Sequence, residues 1–291
     1  MWCQTSAWRR HFDVMKNHVI TWMALPVCGL FLCTCTDLPA PGEKQPVSVL
    51  CMPIAGHAQQ EVYIFETQGL FAQNDSVPGF PRFPPDSWFT FSQYFSRGAT
   101  VVLNTSGGLS YQLVERYDTT ERHEPRGFYA PVDSMTLRPN DELNLVIHSG
   151  TGIITGQAII PGDFRIIHPA AGDEFQYDLS RFAFILNARW TRSTNAAGYL
   201  AIVHWSDTFG PTESYTLLVT DTTLAAGIPV PFVHAEFSFE VIACDKHYIE
   251  HTRDGFSRTG LQGPAYGFCG AGLSRSVPFR VGYTPQPSSL E

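Results

Sequence analysis

The sequence predicts an all-β chain: two immunoglobulin-like β-sandwiches in tandem after a signal peptide. Three observations carry that expectation. Short apolar runs recur about every ten residues, and many alternate strictly, as in Glu142-Leu143-Asn144-Leu145-Val146-Ile147; this is the period of a strand buried on one face. Charged residues make up 16% of the chain, which also holds 24 Gly and 21 Pro. Sparse charge with abundant turn formers suits strands and tight connections better than solvated helices. Finally, basic residues and a short apolar run stand ahead of everything else.

That apolar run, Val19 to Leu32, follows Arg9, Arg10, Lys16 and His18. At 1.5 Å per residue it would form about 21 Å of helix, short of a ~30 Å hydrocarbon core. Pro26 and Gly29 weaken it further as a span. A basic start, a short apolar centre and a polar exit describe a secretory signal, expected over residues 1–35. Cys33 and Cys35 lie at its end. A lipidation signal wants an aliphatic residue three positions before the cysteine and small residues just before it. Leu32-Cys33-Thr34-Cys35 meets this with Cys35 as the lipidated residue, and Cys33 is the second choice. An ordinary signal with incidental cysteines is the alternative. Met15-Lys16-Asn17 reads as a natural start. Arg9-Arg10-His11-Phe12 matches a twin-arginine signal poorly, because Asp13 follows where an apolar residue is expected.

Residues 36–46 carry Pro39, Pro41 and Pro46 and read as an extended tether. Beyond residue 35 the chain holds 16 Lys and Arg against 26 Asp and Glu. Nucleic acid is thereby disfavoured as a partner, since phosphate recognition needs a dense basic face. The expected partner is the membrane, through the lipid.

The first sandwich is expected over residues 47–169. Val47–Cys51 and Glu61–Glu66 read as strands. An aromatic, proline-rich stretch follows, with Phe80, Phe83, Trp88, Tyr94 and Phe95. On a loop these rings could stack on sugars or anchor a protein partner; the alternative is a loop folded over the sandwich edge. Ala99–Leu103 and Tyr111–Val114 form a hairpin across Gly107-Gly108, and Met135–Leu137, Glu142–Ile147 and Ile153–Ile160 continue the strand pattern.

The second sandwich is expected over residues 172–283, with a flexible tail at 284–291. Phe182–Trp190 alternates and ends on a tryptophan, and Tyr199–Val203, Ser214–Val219 and Phe237–Ala243 follow. No stretch holds a sustained helical period.

Several of these pieces resemble a known arrangement. The hairpin Ala99-x-Val101-x-Leu103 with Tyr111-x-Leu113, the Gly127-Phe128-Tyr129 segment, the Pro139-Asn140-Asp141 turn and the run Thr155 to Pro161 carry the resemblance in the first half. Trp190, Ser193, Ala196, Gly198 and Tyr199 carry it in the second, with Ala243, Asp245, Tyr248, Tyr266, Gly267, Gly270 and Ala271. Together they look like an uncharacterised Bacteroidetes-type lipoprotein family. Its N-terminal β domain is similar to the prealbumin-like regulatory domain of carboxypeptidases, and its C-terminal half to fibronectin type III. The resemblance implies a non-enzymatic, lipid-anchored accessory protein of the cell envelope, most simply in the outer membrane. It also implies a TonB-dependent receptor as partner, and no cofactor.

Chemistry is harder to find. After Cys35, only Cys51, Cys244 and Cys269 remain. Cys244 and Cys269 could form a disulfide if their strands lie together; buried free thiols are the alternative. His247 and His251 would share a face on a helix, yet a strand-then-loop context is expected there and no metal is assigned. Gly255 to Gly260 misses a nucleophile elbow by one residue. Asp207, Glu213, Asp221, Glu236 and Glu240 are candidate carboxylates that sequence alone does not rank. No catalytic residue is assigned. Glycan binding through residues 80–95 stands as the alternative function, and a hydrolase with an unrecognised site as the second alternative.

Overall fold

In the computed structural model the residues described are 46–66, 95–118, 126–206, 212–230, 236–254 and 258–282. Cys33 and Cys35, most of the tether, the rings Phe80, Phe83, Trp88 and Tyr94, and the tail at 284–291 lie outside them. Most of the described part is strand, with one short helix. In chain order the first half contains β1 (Val47–Cys51), β2 (Ile54–Ala55), β3 (Val62–Glu66), β4 (Thr100–Thr105), β5 (Ser110–Asp118), β6 (Arg126–Pro131), β7 (Glu142–Ser149) and β8 (Gly152–Ile159). The second half contains β9 (Ile166–His168), β10 (Glu174–Asp178), β11 (Ala183–Trp190), β12 (Gly198–Ser206), β13 (Thr212–Val219), β14 (Thr223–Pro229) and β15 (Glu236–Cys244). A helix, α1 (Lys246–Asp254), then leads to β16 (Leu261–Gln262), β17 (Ala265–Cys269) and β18 (Gly272–Gly282). The fold is an all-β tandem of sandwiches, as the alternation predicts. Met135–Leu137 does not form the expected strand; its Thr136 N–H instead donates to the Tyr111 hydroxyl at 3.0 Å.

One sheet runs β16-β8-β7-β4-β5-β6-β3-β1-β17, and the other β13-β12-β15-β18-β10-β11-β14. The first is built from hairpins. β4 and β5 turn through Gly108, whose φ of 79° is in the left-handed region, and β7 and β8 turn through Gly150 and Thr151. The expected boundary near residue 170 is crossed in both directions. β16 and β17 come from the second half of the chain yet flank the first sheet, pairing with β8 and β1 respectively. In return, β2 pairs in parallel with β18 of the second sheet. Because β16 and β17 are adjacent in sequence, the two edges of the first sheet meet on one short segment and the sheet closes on itself.

Alternation then sorts the side chains. In β7 the buried residues are Leu143, Leu145 and Ile147, and in β11 they are Phe184, Leu186, Ala188 and Trp190. Trp190 reaches across the second sandwich to Tyr199 on β12 and Phe239 on β15, with ring centroids 5.5 and 6.1 Å away. Phe95, the last ring of the aromatic stretch, is buried against Tyr129 at 5.2 Å and over the bare Gly127. The Tyr129 hydroxyl donates to the Ser96 carbonyl at 2.8 Å and accepts from the Ala99 N–H at 3.0 Å. A second, smaller core lies on the outer face of β12 and β15, where Met52, Ile54, Tyr248 and Phe268 cover Leu200 and Ile242.

The helix departs from the expected strand-then-loop. Asp245 caps it: its carboxylate accepts from the Tyr248 N–H at 3.1 Å, the bond an N-terminal cap makes to the third helical residue. Short polar sequences gain helical order from such a cap and from tertiary packing, not from periodicity. Among the described residues no helix is long and apolar enough to cross a membrane.

The seam between β1 and β17 depends on Gly267. Its φ is 96°, and a Cβ there would fall on the Val49 carbonyl oxygen of the facing strand. Gly267→Ala is expected to lower unfolding free energy by about 3 kcal/mol or more, from left-handed strain plus the backbone clash. Gly227→Ala, where a Cβ meets nothing within 4 Å, is expected to be nearly neutral. Urea unfolding of the two variants checks this; equal stabilities would show that the seam tolerates a side chain.

Candidate functional site

The densest convergence of titratable side chains among the described residues is centred on Glu240. This residue points from the outer face of β15, where alternation alone would leave it in water. Instead β2 and the residues after it fold over the sheet. Gln60, itself buried, shapes that turn: its side-chain oxygen accepts from the Ile54 N–H at 2.8 Å. Its amide donates to the Ile54 and His57 carbonyls at 2.8 and 2.9 Å. The turn thereby presents His57 to Glu240.

Three donors meet the carboxylate. His57 Nε2 lies 2.6 Å from Oε1, His204 Nε2 on β12 lies 2.8 Å from Oε2, and the Ser274 hydroxyl on β18 donates to Oε1 at 2.5 Å. Glu240 itself is 8% exposed, so burial works against its charge. The bonds from His204, His57 and Ser274, with the proximity of His57, outweigh burial and hold its carboxyl well below the usual carboxylate range. An ionised carboxylate only accepts, so both imidazoles place their N–H on Nε2 and turn Nδ1 away from the hub.

The connectivity limits the chemistry. In a serine–histidine–carboxylate relay the hydroxyl bonds to the imidazole and the carboxylate holds the far nitrogen. Here Ser274 and both imidazoles converge on the same carboxylate, so the arrangement is a hub and the hydroxyl has no base of its own. His204 also lines an open groove of about 750 Å³ with Ser206, Glu236, Ser238, Pro278 and Arg280. Among the described residues no group of three or more His, Cys, Asp or Glu side chains is disposed to hold a metal ion.

The other candidates are scattered. Of the carboxylates considered from sequence, Glu240 is in the hub and Glu236 in the groove; Asp207 lies outside the described residues. His247 and His251 do share α1, but they serve packing: the His247 ring lies 3.1 Å from the Cys269 carbonyl, and His251 stacks on Phe268 at 4.6 Å. Asp245 beside them is pushed up by burial, against the hydrogen bond from Tyr248 and the nearness of His247. Cys244 and Cys269 lie in separate cores. All three described cysteines are buried thiols, and the ladder partner of Cys269 is Cys51. Cys244 sits instead in the outer core with Ile54 and Tyr248. In the sequence His204 reads only as one of several histidines at strand ends, surface or satisfied core residues, and His57 and Ser274 carry no signal. The one available signal was Glu240 itself, a carboxylate inside an unusually apolar strand.

No protein-family model and no characterised protein matches this sequence. Among solved structures, a pullulanase with maltotriose from Anoxybacillus sp. LM18-11 matches at 10% identity and TM-score 0.20, over 68% of this chain and 24% of that one. The chain thus spans about a quarter of the pullulanase. A 1.5-MDa bacterial ice-binding adhesin matches at 9% identity and TM-score 0.23, over 83% of this chain and 67% of the other. Chicken CNTN1 FN1–FN3 domains match at 7% identity and TM-score 0.19, over 83% and 69%. Scores this low carry no functional argument.

Replacing the hub carboxylate tests its role. Glu240→Gln leaves shape nearly unchanged but sets an amide against donors, and is expected to cost about 2 kcal/mol. The histidines keep about a third of their side-chain surface exposed, so solvent screens part of the pairing. Because the folded carboxyl titrates below its unfolded value near 4.3, its stabilisation is complete above that pH and is lost as pH falls. Wild-type stability measured from pH 5 to pH 2 is expected to fall more steeply than that of the variant; parallel profiles would show that Glu240 does not drive the acid limb.

Proposed function

We propose that this chain is a lipid-anchored envelope protein whose paired sandwiches act as a non-catalytic interaction module, carried by Cys35 and the tether of residues 36–46. What carries the reading is the signal ending in Leu32-Cys33-Thr34-Cys35, because acylation would bury enough methylenes to make attachment effectively permanent. The Glu240 hub supports the non-catalytic part. Its hydrogen bonds point inward, fastening the His57 turn to β12, β15 and β18, and the carboxylate is already met by three donors. An outer-membrane TonB-dependent receptor is the partner implied by the lipoprotein resemblance. Hydrolysis has one observation in its favour, the placement of His204 between the hub and the groove. That reading needs turnover by the full chain on polysaccharide or peptide substrates that His204→Gln abolishes.

The anchor is tested with the full chain expressed from its own signal in a Gram-negative host. Labelled palmitate is expected in the wild type and absent from Cys35→Ala, which should move from the membrane to the soluble fraction. Label lost instead in Cys33→Ala would move the site to Cys33, and no label in any form would remove the anchor. Gentle solubilisation of the outer membrane is expected to retain the receptor with the wild-type protein; recovery of the protein alone would count against an accessory role.

A further inference from the structure

The three described cysteines are not equivalent. Cys244 is sealed in the outer core, its thiol donating to the Ile242 carbonyl at 3.4 Å. Cys51 and Cys269 occupy the other core and are direct partners at the end of the parallel β1–β17 ladder. Ladder partners send their side chains to the same face, with strands about 4.7–4.9 Å apart. A disulfide wants Cα atoms about 4.4–6.8 Å apart, and this register meets that spacing with both side chains on one face. The backbone holds the pair in place: the Gly270 N–H donates to the Cys51 carbonyl at 2.8 Å. The Cys269 side chain also lies against Gly156 of β8, where an added Cβ would come within 2.8 Å of its sulfur. The bare glycine leaves room for the Cys269 side chain inside the sheet.

We propose that Cys51 and Cys269 are joined by a disulfide in the exported protein, a covalent clasp across the β1–β17 seam, with Cys244 left as the single thiol. The clasp rests on the export reading for its oxidising compartment. Two S–H bonds break and one S–S bond forms. The two protons and two electrons pass to a disulfide oxidant of the thiol–disulfide oxidoreductase class, whose own S–S bond is reduced to two thiols. Neither sulfur has any exposure in the folded protein, so the exchange precedes closure of the seam. Contact with the Cys51 thiol and burial push the Cys269 thiol well up, which agrees with that order because the thiolate is the attacking form. The same burial shields the finished bond from reductants. The clasp explains the odd cysteine count, and it joins the first described strand to the last segment of the same sheet. A loop of that length strongly restricts the unfolded chain.

The full chain, expressed from its own signal, is denatured in iodoacetamide without reductant, digested and analysed by mass spectrometry. A linked peptide joining Cys51 to Cys269, with Cys244 alkylated, is the expected result. A processed chain alkylated at all three cysteines overturns the clasp and leaves export standing, and a link through Cys244 overturns it as well. Recovery of an unprocessed chain means that the export reading has failed. The clasp is then decided by refolding the reduced full chain in reduced and oxidised glutathione, where the same linked peptide supports it and three alkylated thiols overturn it. Reduction of the linked protein is expected to lower Tm by on the order of 10 °C. Cys51→Ala and Cys269→Ala should abolish that reductant-sensitive shift, whereas Cys244→Ala should retain it.

Discussion

Parallel strands cannot be joined by a tight turn, so the pairing of β1 with β17 unites segments separated by most of both sandwiches. Much of the remaining architecture is positioned by that seam. It gives β1 neighbours on both sides, β3 and β17, and leaves only Leu50 of its five residues less than buried. It also sets the starting point of the chain that follows. Gly270 bonds back to Cys51, and Gly272 to the Pro53 carbonyl at 2.9 Å, so the exit from β1 runs alongside β18. From there β2 pairs with β18, and the next residues can only fold over the outer face of β15. The Glu240 hub is downstream of the seam in this geometric sense.

A buried carboxylate is expensive unless its oxygens are met, and removing water from it must be offset by donors already in place. The hub meets that requirement from three directions. β12 contributes His204, β18 contributes Ser274, and the Gln60-braced turn contributes His57. Two of these donors belong to the sheet that carries Glu240, but His57 arrives from the opposite end of the chain. The charge is therefore fully satisfied only when the N-terminal strands are docked. Apolar contacts such as Met52 and Ile54 on Ile242 supply most of the adhesion between the same surfaces. The hub adds direction, because hydrogen bonds to a charge fix a register that greasy contacts leave loose.

The strands were legible because each carries its own signature: alternation in β7, β11 and β15, and glycine turns between β4 and β5 and between β7 and β8. The tandem of sandwiches follows from those local patterns. The exchange of strands between the two halves leaves no such mark. A buried parallel strand such as Val47–Cys51 reads the same whichever neighbour it takes, and β16 has only two residues. The Tyr266-Gly267 and Gly270-Ala271 motif was visible, but its reason was not. Gly267 is bare because Val49 approaches it, and Gly270 because Asp245 and Tyr248 lie close. The helix was missed since its nine residues contain no apolar period, and Asp245 as a cap was the readable clue. The hub escaped because His57 stands 183 positions from Glu240, and proximity of that kind is written in topology, not in spacing.

Sequence separation also orders assembly. The hairpins β4–β5 and β7–β8 close over a few residues and lose little chain entropy, whereas the β1–β17 seam must bring distant segments together before any contact rewards it. Until then β1 and β8 present unpaired edges, the kind of surface that recruits other chains. Closure by β16 and β17 covers both edges with one segment, so a single late event removes two liabilities. The bare backbone at Gly267 and Gly156 lets that segment approach closely from both sides, at the cost of a more flexible unfolded chain. A seam that forms last and seals the most edge is also where a covalent bond between its partners would do most to prevent reopening, since reopening exposes both edges together.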